Sequence, residues 1–436
     1  MSELNFFESS GPAISIEIKE KAVADRKKMN TVAGKYASND AFKSILGEDT
    51  FDFELNKKKL VDDLNWLTSL SVEEFTFRKK YEEIVLTNDA VKLYAEQAKP
   101  LIWKPTDIND EELTIKEINA LQPKMVVASA NDLERLWTTL IIYCSSAEYN
   151  QAPGRFIKFL LMDDITGKVL GVASIASDVI AISDRDKFIG WTSENKLKDR
   201  MLRYSAIGTT IVPTQPFGSN FLGGKLTAAM VVSDAVRDAW ENQESGESQR
   251  CKLVGMTTTS LYGSFSMYNS LKWWKAVGSS KGKIPVKPYE GIYKEWHDWL
   301  KQHRGKEYDK AMTQKEGVSG PVTGAKMRVL SLIFNSVAIK QSDYCHGFER
   351  GVYYSCFYEN TKDFLTKKIT EDKLVMKPLF KEDTKAVLDW WKPKAIDRYK
   401  KLKTEGRLNP NKLFYSDMTN MSYEEAKKKY FDDVGR

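Results

Sequence analysis

The amino-acid sequence predicts a mixed α/β (α+β) fold, in which a mixed sheet is flanked by helical N- and C-terminal regions. Three stretches predict it. The first hundred residues carry apolar side chains at helical spacing. Two β-rich runs, Arg155 to Met162 and Lys168 to Ile175, are joined by Asp163-Asp-Ile-Thr-Gly167 and read as a hairpin. Between Gly208 and Ser260 the order is strand, glycine-bearing turn, helix, strand.

In chain order, the first helix is expected from Glu17 to about Met29, and the second around Leu55 to Leu70, with Leu60, Leu64 and Leu67 on one face. Ser71-Val-Glu-Glu74 has the order of a capping box and opens a helix towards Tyr81. A further helix runs from Asn88 to Gln97 and stops at Pro100. Residues 101–125 read as a Pro- and Asp-punctuated connector, and 130–143 as a helix capped by Asn131 or Ser129.

After the hairpin, Phe188-Ile-Gly-Trp191 leads into a charged helix, Glu194 to about Met201. A strand at Gly208–Pro213 feeds the turn Phe217–Lys225, then a helix from Leu226 to about Glu241, a strand at Lys252–Ser260 and a short helix holding Tyr268 to Gly278. A basic loop, a helix from Tyr289 to His303 and a polar linker over 305–325 follow. Arg350 to Tyr358 reads as a strand, Asn360 to Lys368 as a helix, and the end as lysine-rich helices interrupted at Pro393 and Pro410. The expected divisions are 1–115, helical; 116–300, the α/β core; and 301–436, a strand and helix extension with a basic helical tail.

Composition bounds the function. The chain has 436 residues, 42% of them hydrophobic, with 11 Trp, 19 Tyr and 20 Phe, enough for more than one core. The N-terminus lacks the basic and apolar regions of a signal peptide, and no uncharged apolar run approaches a membrane span. Four dispersed cysteines without a Cys-x-x-Cys pair suit reduced thiols, so a cytoplasmic setting without membrane association is expected. Three histidines give a zinc site little to work with, and no metal is expected. Residues 361–436, with 19 Lys and Arg against 13 Asp and Glu, carry the whole formal excess of +6. A basic end of this kind docks on nucleic acid or forms a solvated helical surface.

The glycine turn is the first candidate site. A strand leading into a glycine-rich helix N-terminus presents unpaired N–H groups to an anion, with Lys225 in the first helical turn. Ser219 and Leu226 stand where a P-loop needs its first glycine and its hydroxyl, and Gly218, Gly223 and Gly224 miss the dinucleotide spacing. The competing reading is that Gly223 and Gly224 let a helix pack closely on a sheet while Tyr268 and Trp273 fill a core. Hydroxyls of Thr259, Ser260 and Tyr262 fall at the end of the next strand, and Ser260 is a candidate catalytic hydroxyl, although no Gly-x-Ser-x-Gly surrounds it. His346, near Asp343 and Glu349, is an acid/base candidate, with a structural role as the competing reading of a lone His.

Phe265-Ser-Met-Tyr268-Asn-Ser-Leu271-Lys-Trp273-Trp-Lys-Ala-Val-Gly278, placed after the glycine turn and the next strand, resembles the Tyr, Leu, aromatic, Gly pattern of the GNAT acyltransferase superfamily. The resemblance covers roughly residues 120–280. It implies a GNAT-like core that uses acyl-coenzyme A, with Gly218, Ser219, Asn220, Gly223, Gly224 and Lys225 on the pyrophosphate and Tyr268 as general acid. Gln215 and Pro216 precede a wider loop where that superfamily usually has a basic residue and a tighter turn.

A second resemblance spans about 150–370. Phe188-Ile-Gly-Trp, the Pro216-Phe-Gly-Ser-Asn-Phe-Leu-Gly-Gly-Lys-Leu226 run, Thr257-Thr-Thr-Ser-Leu-Tyr-Gly263 and Arg350-Gly-Val-Tyr-Tyr with Tyr358-x-Asn360 resemble the phage and bacterial family that includes DruA of the Druantia anti-phage system. It implies a phage or defence setting and makes DNA or another nucleic acid an expected partner. The leading expectation is an acyl-coenzyme-A-dependent N-acyltransferase acting on a nucleobase or nucleic-acid-associated acceptor. The alternative is a non-catalytic nucleic-acid-binding or interaction protein.

Overall fold

Leu60, Leu64 and Leu67, spaced to share one helical face, are all buried and fix the first helix, α1 (Phe53–Ser69). The structure is a computed structural model that describes residues 51–149, 154–242, 251–260, 267–313, 323–381, 383–409 and 414–434. The expected helix over 17–29 and the break at Pro410 lie outside these residues. In α2 (Val72–Leu86) both halves of the capping box form, Glu74 N donating to Ser71 Oγ and Ser71 N to the Glu74 carboxylate. Helix α3 (Asp89–Ala98) starts at Asn88 as expected.

The connector expected over 101–125 is a correction. It contains α4 (Glu111–Ala120), capped by Asp110, whose carboxylate accepts from Leu113 N at 3.0 Å, and then β1 (Pro123–Val127). Helix α5 (Asn131–Cys144) has Ala130 at its cap position and no side-chain cap, so neither Ser129 nor Asn131 caps it.

The hairpin forms as β2 (Phe156–Asp163) against β3 (Val169–Ser177). Its turn is held by Asp163, which accepts from Thr166 N and Oγ1 at 2.9 and 2.6 Å. Two short helices, α6 (Ser183–Ile189) and α7 (Ser193–Leu197), lead to β4 (Ser205–Pro213).

The glycine turn is helical: α8 (Phe217–Asn220), then α9 (Gly223–Met230). The single helix expected to Glu241 is broken after Met230 and resumes as α10 (Asp234–Asn242). Buried Arg237 bridges the break, donating to Val232 O at 2.9 Å and to Phe380 O at 3.1 Å. Strand β5 (Gly255–Thr259) is shorter than expected.

The helix expected over Tyr268–Gly278 does not form. Ser270 takes φ +62°, a left-handed conformation that ends a helical run, and the segment proceeds as turns into β6 (Lys275–Pro285), where a basic loop was expected. Helices α11 (Glu290–His303), α12 (Gly305–Met312) and α13 (Thr323–Ser336) follow, so helical structure occupies part of the expected linker. Strand β7 (Cys345–Cys356), α14 (Thr361–Leu365), α15 (Asp383–Thr404) and α16 (Tyr423–Val434) complete the chain. Helix α15 runs through Pro393 instead of stopping there. The buried row Trp391, Ala395, Tyr399 and Leu402 holds it together across the backbone bond that proline removes.

The sheet has the order β1-β2-β3-β4-β5-β7-β6. Every neighbouring pair is antiparallel except β4 and β5, which are parallel. Because β7 inserts between β5 and β6, the sheet crosses the boundary expected near residue 300. Helices α4, α9 and α15 cover one face, with Phe159, Leu161, Ala173 and Ile211 in that core. Helices α3 and α5, with Leu160, Val172 and Trp137, cover the other. A third core joins α1, α11, α12 and α13 around Trp296.

Candidate functional site

The parallel pair is short. β4 and β5 are in register only from Ser205↔Gly255 to Gly208↔Thr258. Beyond that point β4 continues to Pro213 paired with β3 alone, and Thr259 pairs with β7. A register shift at Ser174/Ile175 leaves Thr209 as an extra residue in β4 at the point of divergence, a bulge that bends the strand away. The gap opens a cavity of about 830 Å³ lined from both faces of the sheet. On one face its wall includes Gly218, Ser219, Gly224, Lys225, Tyr268 and Arg398; on the other it includes Lys79, Glu148, Tyr149 and Arg350.

The glycine turn forms one rim. Gly218 N donates to Thr214 O at 2.8 Å and Ser219 N to Gln215 Oε1 at 3.0 Å, so these two N–H groups are already used. The first two N–H groups of α9, those of Gly223 and Gly224, have no acceptor among the described residues. They follow Leu222, which takes φ +53°, a strained conformation for a branched side chain. A β-carbon on Gly223 would overlap the Phe217 ring, so this glycine serves close packing. A β-carbon on Gly224 would point towards Met267, 3.2 Å from its sulfur, at the cavity wall.

Asn220 is elsewhere. Its Nδ2 donates to Pro216 O at 3.1 Å and to Asn409 O at 2.7 Å, and its Oδ1 accepts from Asn409 N at 3.0 Å. With Trp391 Nε1 donating to Phe221 O at 3.0 Å, it ties the turn to the C-terminal region. Lys225 Nζ donates to Asn269 O, and burial together with the nearby Lys394 charge lowers its pKa. Arg398 reaches the same rim, and its buried Nε has no hydrogen-bond partner among the described residues.

Tyr268 is buried in the cavity wall, its ring 4.6 Å from that of Tyr353 and edge-on to Trp274 at 5.8 Å. Thr258 Oγ1 donates to Gly208 O at 3.0 Å, which leaves the Tyr268 hydroxyl as donor in its 3.5 Å contact with Thr258 Oγ1. Burial pushes the Tyr268 pKa well up, so the phenol keeps its proton at any ordinary pH. Ser260 also lines the cavity, but its Oγ accepts from Gly351 N at 2.9 Å, stitching the end of β5 to β7. Tyr262 lies outside the described residues.

A buried polar cluster beneath the β4–β5 pair escaped the sequence reading. Asp178 accepts from Arg185, Ser205 Oγ, Thr257 Oγ1 and Val179 N, and Arg185 also binds Asp186. It holds the N-terminal ends of the two strands together where their C-terminal ends part. His346 packs against the Phe75 ring, and its Nε2 lies 2.7 Å from Leu67 O. Lys400 and Lys403 of the basic tail lie 3.9 and 3.3 Å from Glu111, and Lys427 lies 2.7 Å from Glu74, so part of the tail charge is paired on the surface. Among the described residues no group of three or more His, Cys, Asp or Glu could hold a metal ion, and no helix is long and apolar enough to cross a membrane.

A family model described as Druantia protein DruA matches residues 78–367, two thirds of the chain. The chain belongs to the DruA family. The DruA match takes in the whole sheet and the glycine turn, but ends before α15 and its Arg398. Druantia protein DruA of Escherichia coli (strain UMEA 4076-1) is 25% identical over 256 residues, 56% of this chain and 61% of that DruA protein, so the chain spans less than two thirds of the relative's length. No solved structure matches.

Proposed function

We propose that this DruA-family chain is a GNAT-like, acyl-coenzyme-A-dependent N-acyltransferase working in a phage or anti-phage setting, with a nucleobase or nucleic-acid-associated amine as acceptor. The observation that carries the reading is the parting of β4 and β5 beyond Gly208 and Thr258, which leaves a slot through the sheet with the α9 N-terminus at its rim. Such a slot suits a pantetheine arm, and the rim suits its diphosphate. The free N–H groups of Gly223 and Gly224, the positive end of the helix, Lys225 and the orphan Nε of Arg398 converge there. Gly218, Ser219 and Asn220 shape the turn and are given no contact with the diphosphate.

In the reaction the acceptor nitrogen attacks the thioester carbonyl, an N–C bond forms, and the C–S bond breaks. The thiolate takes the Tyr268 proton, which water replaces, and the amine proton passes to solvent. Because burial makes Tyr268 a weak acid, it donates only as negative charge gathers on sulfur. Ser260, engaged with Gly351, is given no chemical step. The test is release of free thiol from acetyl-coenzyme A with adenine- and cytosine-containing oligonucleotides as acceptors. Thiol release that depends on acceptor supports the reading, and none with any acceptor counts against it.

A further inference from the structure

Arg350 opens a motif that the proposed chemistry leaves unused. It sits on β7 two residues before Val352, which pairs with Thr259, so it lies beyond the β4–β5 divergence. Alternation along β7 puts it on the same sheet face as Val352 and Tyr354, opposite Tyr353, which packs on Tyr268. It therefore lines the mouth away from α9, on the side of Lys79, Glu148 and Tyr149.

Its guanidinium has no hydrogen bond or ion pair among the described residues, although the side chain is largely withdrawn from water. Burial lowers its pKa, and no neighbouring acid offsets that effect. Glu148, the carboxylate in this wall, and Glu83 behind it are engaged with other groups. Glu148 is 3.1 Å from Lys79 Nζ, and Glu83 accepts from Lys80 at 2.7 Å and from Tyr149 N at 2.9 Å. A partly desolvated guanidinium without a counter-charge is costly, and a forked oxyanion is the partner that offsets it best.

We propose that Arg350 receives an oxyanion, phosphate or carboxylate, carried by the molecule that enters this second mouth. Combined with the acyl-transfer reading, on which this part rests, the acceptor is an anionic amine whose charged group is held by Arg350 while its nitrogen faces the gap. The anion site itself does not depend on coenzyme A.

The test uses the full chain at constant ionic strength, with inorganic phosphate and malonate as separate probes and the melting temperature as readout. Stabilisation that depends on Arg350 and is given by phosphate alone assigns a phosphorylated acceptor, and by malonate alone a carboxylate-bearing one; Arg350-dependent stabilisation by both supports an oxyanion site. In Arg350→Met the stabilisation should require at least about tenfold more anion, with Arg350→Lys between the two, because a point charge survives without the fork. Lys124→Met, an exposed charge on the edge strand β1 outside the cavity wall, should respond like the wild type. No stabilisation by either anion, or stabilisation lost in Arg398→Met and kept in Arg350→Met, overturns the proposal. If Arg350→Met does not fold, Arg350→Lys against wild type decides, and equal responses overturn it. Anion binding through Arg350 without any acetyl-coenzyme A binding sinks the acyl-transfer reading and leaves the anion site standing.

Discussion

Asp178 and Arg185 form an ion pair of 2.6 Å with no side-chain surface exposed on either partner. It sits under the parallel strand pair of the sheet, where Ser205 of β4 and Thr257 of β5 both donate to the same Asp178 oxygen, at 2.6 and 2.7 Å. Joined at this end, the strands are free to diverge at the other. Removing one partner strands a buried charge, so Arg185→Met should cost about 3–5 kcal/mol, read as a lower urea midpoint. An unchanged midpoint would contradict this role.

Gly278 is held at φ +152° in a bulge of β6, and a β-carbon there would overlap the Asp184 carboxylate, which accepts from Ser279 N at 2.8 Å. Gly278→Ala should lower stability by roughly 1–3 kcal/mol, from backbone strain and displacement of Asp184. Adding Asp184→Ala relieves the overlap but not the strain, so the double variant should be less destabilised than the two single effects summed. Simple additivity in chemical denaturation would show that the two residues do not meet.

Glu74 is held at a pKa of about 2, chiefly by its hydrogen bond with Lys427 and then by the Ser71 cap. A depressed carboxylate stabilises the folded state above its unfolded value, 4.5, and that contribution is lost as pH falls towards about 2. The wild type should therefore melt higher than Glu74→Gln at pH 6, with the difference closing between pH 4.5 and 2. A difference constant across that window would remove Glu74 as the titrating group.

Tyr268→Phe keeps the ring in its packing against Tyr353 and removes only the proton donor. Binding of acetyl-coenzyme A should be retained while turnover falls about 100-fold or more. Full turnover would remove Tyr268 from the mechanism.

What the sequence revealed was local. The leucines of α1, the box of Ser71 and Glu74, and the Asp163 turn depend on partners a few residues apart, and each formed as read. The strand before the glycine segment was also legible, but the turn expected over Phe217–Lys225 is mostly helical. What was missed depends on distant partners. Lys275–Pro285 has weak strand composition and becomes β6 because β7, some seventy residues later, supplies its ladder. The spacing of Tyr268, Leu271 and Trp274 is helical, yet Ser270 breaks the run. Asp178 meets Ser205 and Thr257 only once the strands are laid side by side. Arg350 and Arg398 reach one cavity from a strand and from a tail that read as a nucleic-acid dock or a solvated surface. No spacing rule links 208, 268, 350 and 398; the strand pairing, with a turn and a helix packed on the sheet, does.

The central claim is that the gap between β4 and β5 takes coenzyme A with its diphosphate on the α9 rim. Isothermal titration of the full chain with acetyl-coenzyme A tests it most directly, comparing the wild type with Gly224→Trp, whose indole would fill the rim beside Met267. Saturable binding by the wild type, weakened at least about tenfold in a Gly224→Trp protein of unchanged circular dichroism, is the predicted result. No binding by the wild type, or equal binding by the two, would contradict it.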